Sequence, residues 1–206
     1  MKKGLIFGLF CFCVLTLSAF EIDRQTGIWS GLDSGKFHRH DTRLCAEFVK
    51  FFQAEEAKTI VDFGCGMGSH VRAFKNKGFI TRGFDGNPDT PELTKGLCEV
   101  LDLTIPHDLK TKFDWVVSLE VGEHVPRPFE KIFVENLVRH AEKGIILSWA
   151  PKGQRGKGHF NEQNNDYVKE LLQGYGFTPD LEAEQRFREN SDRYWFKNSI
   201  MVFRRA

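Results

Sequence analysis

The stretch TIVDFGCGMGS, residues 59–69, places three glycines at alternate positions directly after an apolar run that contains an acid. The acid is Asp62, and the glycines are Gly64, Gly66 and Gly68. Glycines lack a Cβ atom, so they permit a tight turn and let a ligand touch the main chain. In an open α/β sheet, ligands bind beyond the carboxyl ends of the strands. This junction between a buried strand and a helix therefore predicts a site for a nucleotide-like ligand.

The spacing of the glycines distinguishes two classes of ligand. Dinucleotide enzymes use G-x-G-x-x-G, whereas this chain has G-x-G-x-G followed by Ser69. The segment VDFGCGMGS resembles, at every position, the apolar-acid-apolar-G-x-G-x-G motif of the class I S-adenosylmethionine-dependent methyltransferases. The resemblance is to small, type-11-like methyltransferase-domain proteins and runs from about residue 44 to residue 203. It implies methyl transfer with S-adenosyl-L-methionine as the cofactor.

Further acids follow in the order that this family shows. Asp85 ends the second predicted strand, where an acid can accept hydrogen bonds from both ribose hydroxyls. The resemblance implies that Asp102 lies near the adenine amino group and that Glu120 ends the fourth strand. The alternatives are helix capping for Asp62 and Asp85, a turn for Asp102, and a solvated acid at a strand end for Glu120. The cofactor-binding residues that we predict are Asp62, Gly64, Cys65, Gly66, Gly68, Asp85, Gly86, Asn87, Asp102, Leu103 and Glu120.

Two histidines and an acid are the candidate catalytic residues. Methyl transfer is an in-line displacement at an already activated carbon, so alignment matters most and a base is needed only when the acceptor must lose a proton. His124 and Glu123 follow the fourth predicted strand, and His159 lies in the loop after the fifth. His124 and His159 are equally good candidates for a base. The alternatives are a structural histidine at 124 and a surface-loop histidine at 159.

The loop over residues 150–163 resembles a segment that forms part of the acceptor pocket in a subgroup of the family. Its Lys152, Arg155 and Lys157 could orient an anionic acceptor or form a solvated basic loop. Residues 38–41 could fold over the site as a lid. We expect a small-molecule or protein acceptor. The formal net charge of +1 gives no indication of a nucleic-acid partner, and the oligomeric state is not predicted.

Alternating strand and helix patterns predict a parallel sheet with helices on both faces. The resemblance implies an α/β fold with a Rossmann-like doubly wound sheet, mostly parallel with an antiparallel last strand. Helices are predicted over residues 42–57, 69–78, 127–144 and 161–176, with Gly144 ending the third and Asn161 capping the fourth. Strands are predicted over residues 58–64, 79–86, 97–103, 112–121, 145–151, 178–183 and 193–205.

The first residues have the layout of a secretory signal. Lys2 and Lys3 precede a short apolar stretch that ends in small residues. We predict a signal peptide over residues 1–19, an N-terminal arm or lid over 20–43, a methyltransferase domain over 44–206, and export to a secreted, periplasmic or lumenal location. We also expect transient membrane contact through this N-terminal segment. A short membrane anchor is the alternative to a signal peptide, and a cytoplasmic protein is the other alternative, because the cofactor is made in the cytosol.

Three cysteines follow this leader, Cys45, Cys65 and Cys98, without a paired C-x-x-C spacing. They predict buried free thiols, neither a disulfide framework nor a zinc site, and no metal is expected. Two other functions stay open. The chain could bind the cofactor, or nothing, and act through a partner without catalysis. A nicotinamide-dependent oxidoreductase is a less favoured alternative.

Overall fold

The computed structural model describes residues 20–206, and the predicted signal peptide lies outside the described residues. The elements are, in chain order, β1 (Glu21–Ile22), β2 (Trp29–Ser30), α1 (Thr42–Ala54), β3 (Thr59–Phe63), α2 (Ser69–Asn76), β4 (Ile80–Asp85), α3 (Thr90–Leu93), β5 (Glu99–Val100), β6 (Phe113–Leu119), α4 (Glu130–His140), β7 (Ala141–Ser148), α5 (Asn165–Gln173), β8 (Phe177–Pro179), α6 (Leu181–Glu189), α7 (Phe196–Ser199) and β9 (Ile200–Arg205). Among these residues, no helix has both the length and the hydropathy that a membrane crossing requires.

Seven strands form one sheet in the order β5-β4-β3-β6-β7-β9-β8. Strands β3 to β7 run parallel to one another, whereas β9 runs antiparallel to both β7 and β8. The strand order reverses between β3 and β6, and the loops that leave these two strands diverge and open a crevice. The predicted fold, a mostly parallel doubly wound sheet, is confirmed.

Alternate residues of the central strands pack into two cores, one on each face of the sheet. Val61 and Phe63 of β3 lie in the core that contains α4 and α5 residues. Ile60 lies in the opposite core, against α1, α2 and α6. The predicted apolar stripe of α1 belongs to this second core and consists of Leu44, Phe48, Phe51 and Phe52. Burial on both faces explains why β3 is apolar at nearly every position.

Helix α4 ends earlier than predicted, so the role expected for Gly144 is wrong. The helix ends at His140, and β7 begins at Ala141. Gly144 therefore lies inside a strand, opposite Trp115. A Cβ atom added there would lie 2.3 Å from the Trp115 ring and 2.4 Å from the carbonyl oxygen of Phe203. The glycine is required by close packing between strands, which is not visible in the local sequence.

Two further local predictions are wrong for similar reasons. Asn161 does not cap a helix, because α5 begins at Asn165; the buried Asn161 amide instead donates to Glu130 Oε2 at 2.9 Å. The strand predicted over 178–183 stops at Pro179, and α6 follows. Asp180 starts this helix by accepting a hydrogen bond from the Ala183 N–H at 3.0 Å. Of the strand predicted over 97–103, only β5 is formed. The strand predicted over 193–205 begins only at β9, because the short helix α7 precedes it.

We expect Gly144→Ala to lower the free energy of unfolding by about 1–3 kcal/mol, because the added methyl group overpacks the contact with Trp115. Urea denaturation measures this change. Gly174→Ala is the matched control, since Gly174 has a helical φ of −59° and its added Cβ would meet only carbonyl oxygens of its own helix at 3.3 Å or more. The control should change stability by less than about 0.5 kcal/mol. Equal effects in both variants would contradict the packing role of Gly144.

Candidate functional site

The carboxyl ends of β3, β4 and β6 open into a cavity of about 480 Å³. It is lined by all of the predicted catalytic residues and by all of the predicted cofactor-binding residues except Gly68, namely by Asp62, Gly64, Cys65, Gly66, Asp85, Gly86, Asn87, Asp102, Leu103, Glu120, Glu123, His124 and His159. Gly68 has a left-handed φ of 66°, and an added Cβ would lie 3.0 Å from the Cys98 sulfur. Gly68 therefore lets the loop pack onto β5 and its flanks, and it does not line the cavity.

The loop after β3 is held by main-chain hydrogen bonds to β4. The N–H groups of Gly64 and Cys65 both donate to the carbonyl oxygen of Phe84, at 2.7 and 2.9 Å. Gly64 and Gly66 have left-handed φ angles of 81° and 52°, a conformation that favours glycine. An added Cβ at Gly66 would lie 2.6 Å from His38 Nδ1. The loop thus offers bare main chain to the cavity at Gly64 and Gly66, where a side chain would have no room.

Asp85 is held in a fixed orientation at the end of β4. Its Oδ2 accepts a hydrogen bond from the Gly66 N–H at 2.8 Å, and its Oδ1 accepts one from the Asn87 N–H at 3.0 Å. Each carboxylate oxygen can accept more than one hydrogen bond. The carboxylate therefore keeps capacity for the two hydroxyls of a ribose while it stays tied to the glycine loop.

Asp62 is a buried acid in the cavity wall, only 2% exposed. Burial raises its pKa well above the ordinary range, and the nearby Cys98 and Asp85 add to the effect. A cationic ligand would offset this cost, because an opposite charge favours the ionised form of a carboxyl group. The cofactor carries positive charge on its sulfonium and amino groups, so the site fits it.

Asp102 forms the turn that was its alternative role, and it also lines the cavity. Its Oδ1 accepts hydrogen bonds from the main chain and the hydroxyl of Thr104, at 2.8 and 2.7 Å, which is a turn. The same residue lines the cavity beside the buried Leu103. The turn holds this wall of the cavity in place at the exit of the β5 strand.

Glu120 joins three segments at the end of β6. Its Oε1 accepts a hydrogen bond from the Ser199 hydroxyl at 3.0 Å, and its Oε2 accepts one from the Gln154 amide at 3.1 Å. Its main chain has a left-handed φ of 55°, which is uncommon for a residue other than glycine. Such strain is often found at functional sites, and here the two hydrogen bonds keep the carboxylate at the cavity wall.

The three predicted catalytic residues lie together. One potential ligand atom from each of Glu123, His124 and His159 lies within 4.8 Å of the others. His124 Nδ1 is 2.9 Å from the carbonyl oxygen of Gly158, and His159 Nδ1 is 2.9 Å from Glu162 Oε1. Burial lowers the pKa of His124 to about 4, so this imidazole is neutral at neutral pH. The spatial grouping was not predictable from positions 35 residues apart in the chain.

The N-terminal arm forms part of the cavity wall. The residues that it contributes to the lining are Thr26, Gly27, Ile28, Trp29, Phe37, His38, Arg39 and His40. An added Cβ at Gly27 would overlap the carbonyl oxygen of His124, at 1.9 Å. The Gly31 N–H donates to Asp89 Oδ2 at 3.0 Å, which ties the arm to the segment after β4. Asp41, at the end of the arm, caps α1 by accepting a hydrogen bond from the Leu44 N–H at 3.0 Å.

Other parts of the lining were missed or only partly predicted. Arg155 and Lys157 of the basic loop line the cavity, whereas Lys152 does not. The Lys157 ammonium lies 3.9 Å from the centre of the Phe37 ring, a cation–π contact that helps to hold the arm. The C-terminal aromatic segment, residues 194–196, also reaches the cavity. The run of aromatic residues could have indicated a role in the cavity, but it was predicted to belong to a strand.

The cysteines behave as predicted. Cys45, Cys65 and Cys98 are free and buried. Burial raises the pKa of Cys45 to about 12, so its thiol stays protonated at neutral pH. These thiols contribute packing, as small apolar side chains do.

Comparison with known sequences finds a family and a curated relative. Residues 37–147 match the model of a family described as a methyltransferase domain. A probable chloroplastic tocopherol O-methyltransferase from Oryza sativa subsp. japonica is 27% identical over 163 residues. That alignment covers 62% of this chain and 44% of the rice protein, so the chain spans less than half the length of this relative.

Solved structures share the architecture. The magnesium protoporphyrin IX methyltransferase ChlM from Synechocystis PCC 6803, with bound SAH, superposes with a TM-score of 0.60 at 20% identity, over 79% of this chain and 82% of ChlM. The sugar N-methyltransferase KedS8 from Streptoalloteichus sp ATCC 53650 superposes with a TM-score of 0.63 at 12% identity, over 79% and 87% of the two chains. These similarities independently confirm the predicted fold.

We expect Gly66→Ala to weaken binding of S-adenosylmethionine by at least about tenfold, because the new methyl group displaces His38 and strains the loop. Isothermal titration calorimetry measures the affinity. Gly78→Ala is the control: Gly78 also has a left-handed φ, of 90°, but nothing lies within 4 Å of its added Cβ. The control should lose stability and keep its affinity. A similar loss of affinity in both variants would contradict a specific role for Gly66.

Proposed function

The chain belongs to the methyltransferase-domain family, and we propose that it transfers the methyl group of S-adenosylmethionine to a small-molecule acceptor held beside Glu123, His124 and His159. Membership of the family confirms the predicted cofactor and enzyme class and argues against a nicotinamide-dependent oxidoreductase. The observation that carries the proposal is that the glycine loop, the strand-end acids and this second polar group line a single cavity.

The part of the cavity lining that contains Asp62, Gly64, Gly66 and Asp85, here called the first end, suits the cofactor. Asp85, held by the Gly66 N–H, would accept hydrogen bonds from the ribose hydroxyls. Asp62 would place a negative charge near the cationic groups of the cofactor. The bare main chain at Gly64 and Gly66 allows close approach. When bound there, the cofactor supplies a methyl group that is already activated on a sulfonium sulfur.

The part of the lining that contains Glu123, His124 and His159, here called the second end, suits an acceptor of limited size. The whole cavity, cofactor end included, has a volume of about 480 Å³, which lies within the range of about 300–1,000 Å³ that small-molecule sites occupy. The arm packs against this part of the cavity, with Gly27 against His124 and the Lys157 ammonium against Phe37. A packed wall of this kind limits the water around the reacting centre and favours alignment of the acceptor with the methyl group.

The relatives support a small acceptor over a macromolecular one. Three of them are a probable tocopherol O-methyltransferase, a magnesium protoporphyrin IX methyltransferase and a sugar N-methyltransferase. The acceptors in these names differ in chemistry, so the relatives favour a size class and not one compound. Arg155 and Lys157 at the rim would favour an acceptor that carries an anionic group.

We expect the full chain to bind S-adenosylmethionine and S-adenosylhomocysteine with micromolar affinity and not to bind NADH. Asp85→Ala should weaken binding of both ligands by at least about tenfold, because the ribose hydroxyls lose a charged acceptor. Titration calorimetry measures all three ligands. Asp108→Ala is the control, since Asp108 is an exposed acid paired with Lys110 outside the cavity.

The outcomes of this titration separate the alternatives. Failure of the folded wild-type protein to bind S-adenosylmethionine would refute the methyltransferase proposal. Binding without release of S-adenosylhomocysteine on any acceptor in a screen of small phenols, carboxylic acids and amines, or of proteins, would favour a non-catalytic cofactor-binding protein. Release with protein acceptors alone would contradict the small-molecule proposal.

A further inference from the structure

Glu123, His124 and His159 have the composition of a metal site. Two imidazoles and one carboxylate offer ligand atoms that lie within 4.8 Å of one another, a spacing over which one ion can contact all three. The same set, with open positions for other ligands, binds divalent ions such as zinc and iron(II) in many proteins. No metal was predicted from the sequence, in which Glu123 and His124 are far from His159 and no paired cysteines occur.

Both histidines already have the partner that metal-bound histidines usually have. Imidazoles that bind metals almost always donate their other ring N–H to a carbonyl or carboxylate, which fixes the tautomer. His124 Nδ1 lies 2.9 Å from the Gly158 carbonyl oxygen, and His159 Nδ1 lies 2.9 Å from Glu162 Oε1. These acceptors favour a proton on each Nδ1, and in that tautomer of a neutral imidazole the lone pair available to a metal ion lies on Nε2. Both rings line the cavity.

Glu123 supplies an independent observation that points to a cation. Its side chain is completely buried, and neither carboxylate oxygen makes a hydrogen bond of ordinary geometry, although the Glu120 carboxyl group and the Ala150 main chain lie near it. A buried carboxylate without a partner is costly, and such groups are normally paired or coordinate a metal. The neighbouring Glu120 adds negative charge to the same region. Glu120 itself is occupied by Ser199 and Gln154, so it stays outside the ligand set.

We propose that Glu123, His124 and His159 bind a divalent transition-metal ion, such as Zn²⁺, Mn²⁺ or Fe²⁺, at the acceptor end of the cavity. Three protein ligands leave coordination positions open toward the cavity.

The role of the ion rests on the proposed function, in which an oxygen of the acceptor would bind at an open position. A bound metal ion would lower the pKa of the acceptor hydroxyl, and the hydroxyl proton would leave to solvent. The acceptor oxygen would then bond to the methyl carbon while the bond from that carbon to sulfur breaks, which gives S-adenosylhomocysteine with a neutral sulfur. The histidines then act as ligands and not as bases.

Titration of the metal-free full chain with Co²⁺ alone tests the site, because Co²⁺ in a histidine-containing site has visible absorption bands that report its ligands. We expect saturable binding of one equivalent and displacement by Zn²⁺. His159→Asn and Glu123→Gln should each weaken Co²⁺ binding by more than about tenfold. Glu162→Gln, which removes only the carboxylate that orients His159, should cause a smaller loss, of about tenfold.

Two further variants serve as controls. The first disturbs the site without removing a ligand, and the second removes a histidine that lies elsewhere. Gly156→Ala keeps every ligand, but its Cβ would lie 2.1 Å from His159 Nε2, so it should also weaken Co²⁺ binding. His107→Asn changes a histidine that lies outside the cavity lining and should leave binding unchanged. Absence of saturable Co²⁺ binding, or equal binding by wild type and the ligand variants, would overturn the metal site. Calorimetry with S-adenosylmethionine on the same samples tests the proposed function separately, because cofactor binding does not require these three ligands.

Discussion

The site depends on the junction at which the carbonyl oxygen of Phe84 accepts hydrogen bonds from the N–H groups of Gly64 and Cys65, at 2.7 and 2.9 Å. This contact fixes the glycine loop against the end of β4. It also brings the Gly66 N–H within 2.8 Å of the Asp85 carboxylate. The acid that would hold the ribose is thereby positioned by the loop that would pass beside the rest of the cofactor. A side chain at Gly64 or Gly66 would break this arrangement, because both have left-handed main chains and no free volume.

The cavity concentrates acids that the protein itself neutralises only in part. Asp85 and Glu120 accept hydrogen bonds from neighbouring groups. Asp62 and Glu123 are buried, and burial raises the pKa of each well above the ordinary range. Acids with strongly raised pKa values cluster at functional sites. One such acid lies at each end of the cavity, which fits a cationic cofactor at the first end and a metal ion at the second.

The N-terminal arm forms part of the cavity wall and contacts both ends of the site. Close contacts of Gly27 with His124, of His38 with Gly66 and of Ile28 with Gly86 join the arm to both ends of the site. The contact between Lys157 and Phe37 connects it to the loop after β7. Since these contacts involve both ends, the position of the arm would affect entry of the cofactor and of the acceptor alike.

The sequence by itself determined the features that depend on neighbouring residues. The stripe of α1, the buried strand β3 and the motif from Asp62 to Gly66 were all predicted, because periodicity and short spacing are local properties. Gly144, Asn161 and the start of α6 were misassigned, because their roles come from partners distant in the chain, such as Trp115 opposite Gly144.

Only the tertiary structure decided how the second end of the cavity is built. The sequence named Glu123, His124 and His159 separately, as candidate proton acceptors. It could not show that they converge within 4.8 Å or that Gly158 and Glu162 orient the two rings. Such geometry arises from the packing of loops that follow different strands of the sheet, and this packing leaves no periodic signal in the sequence.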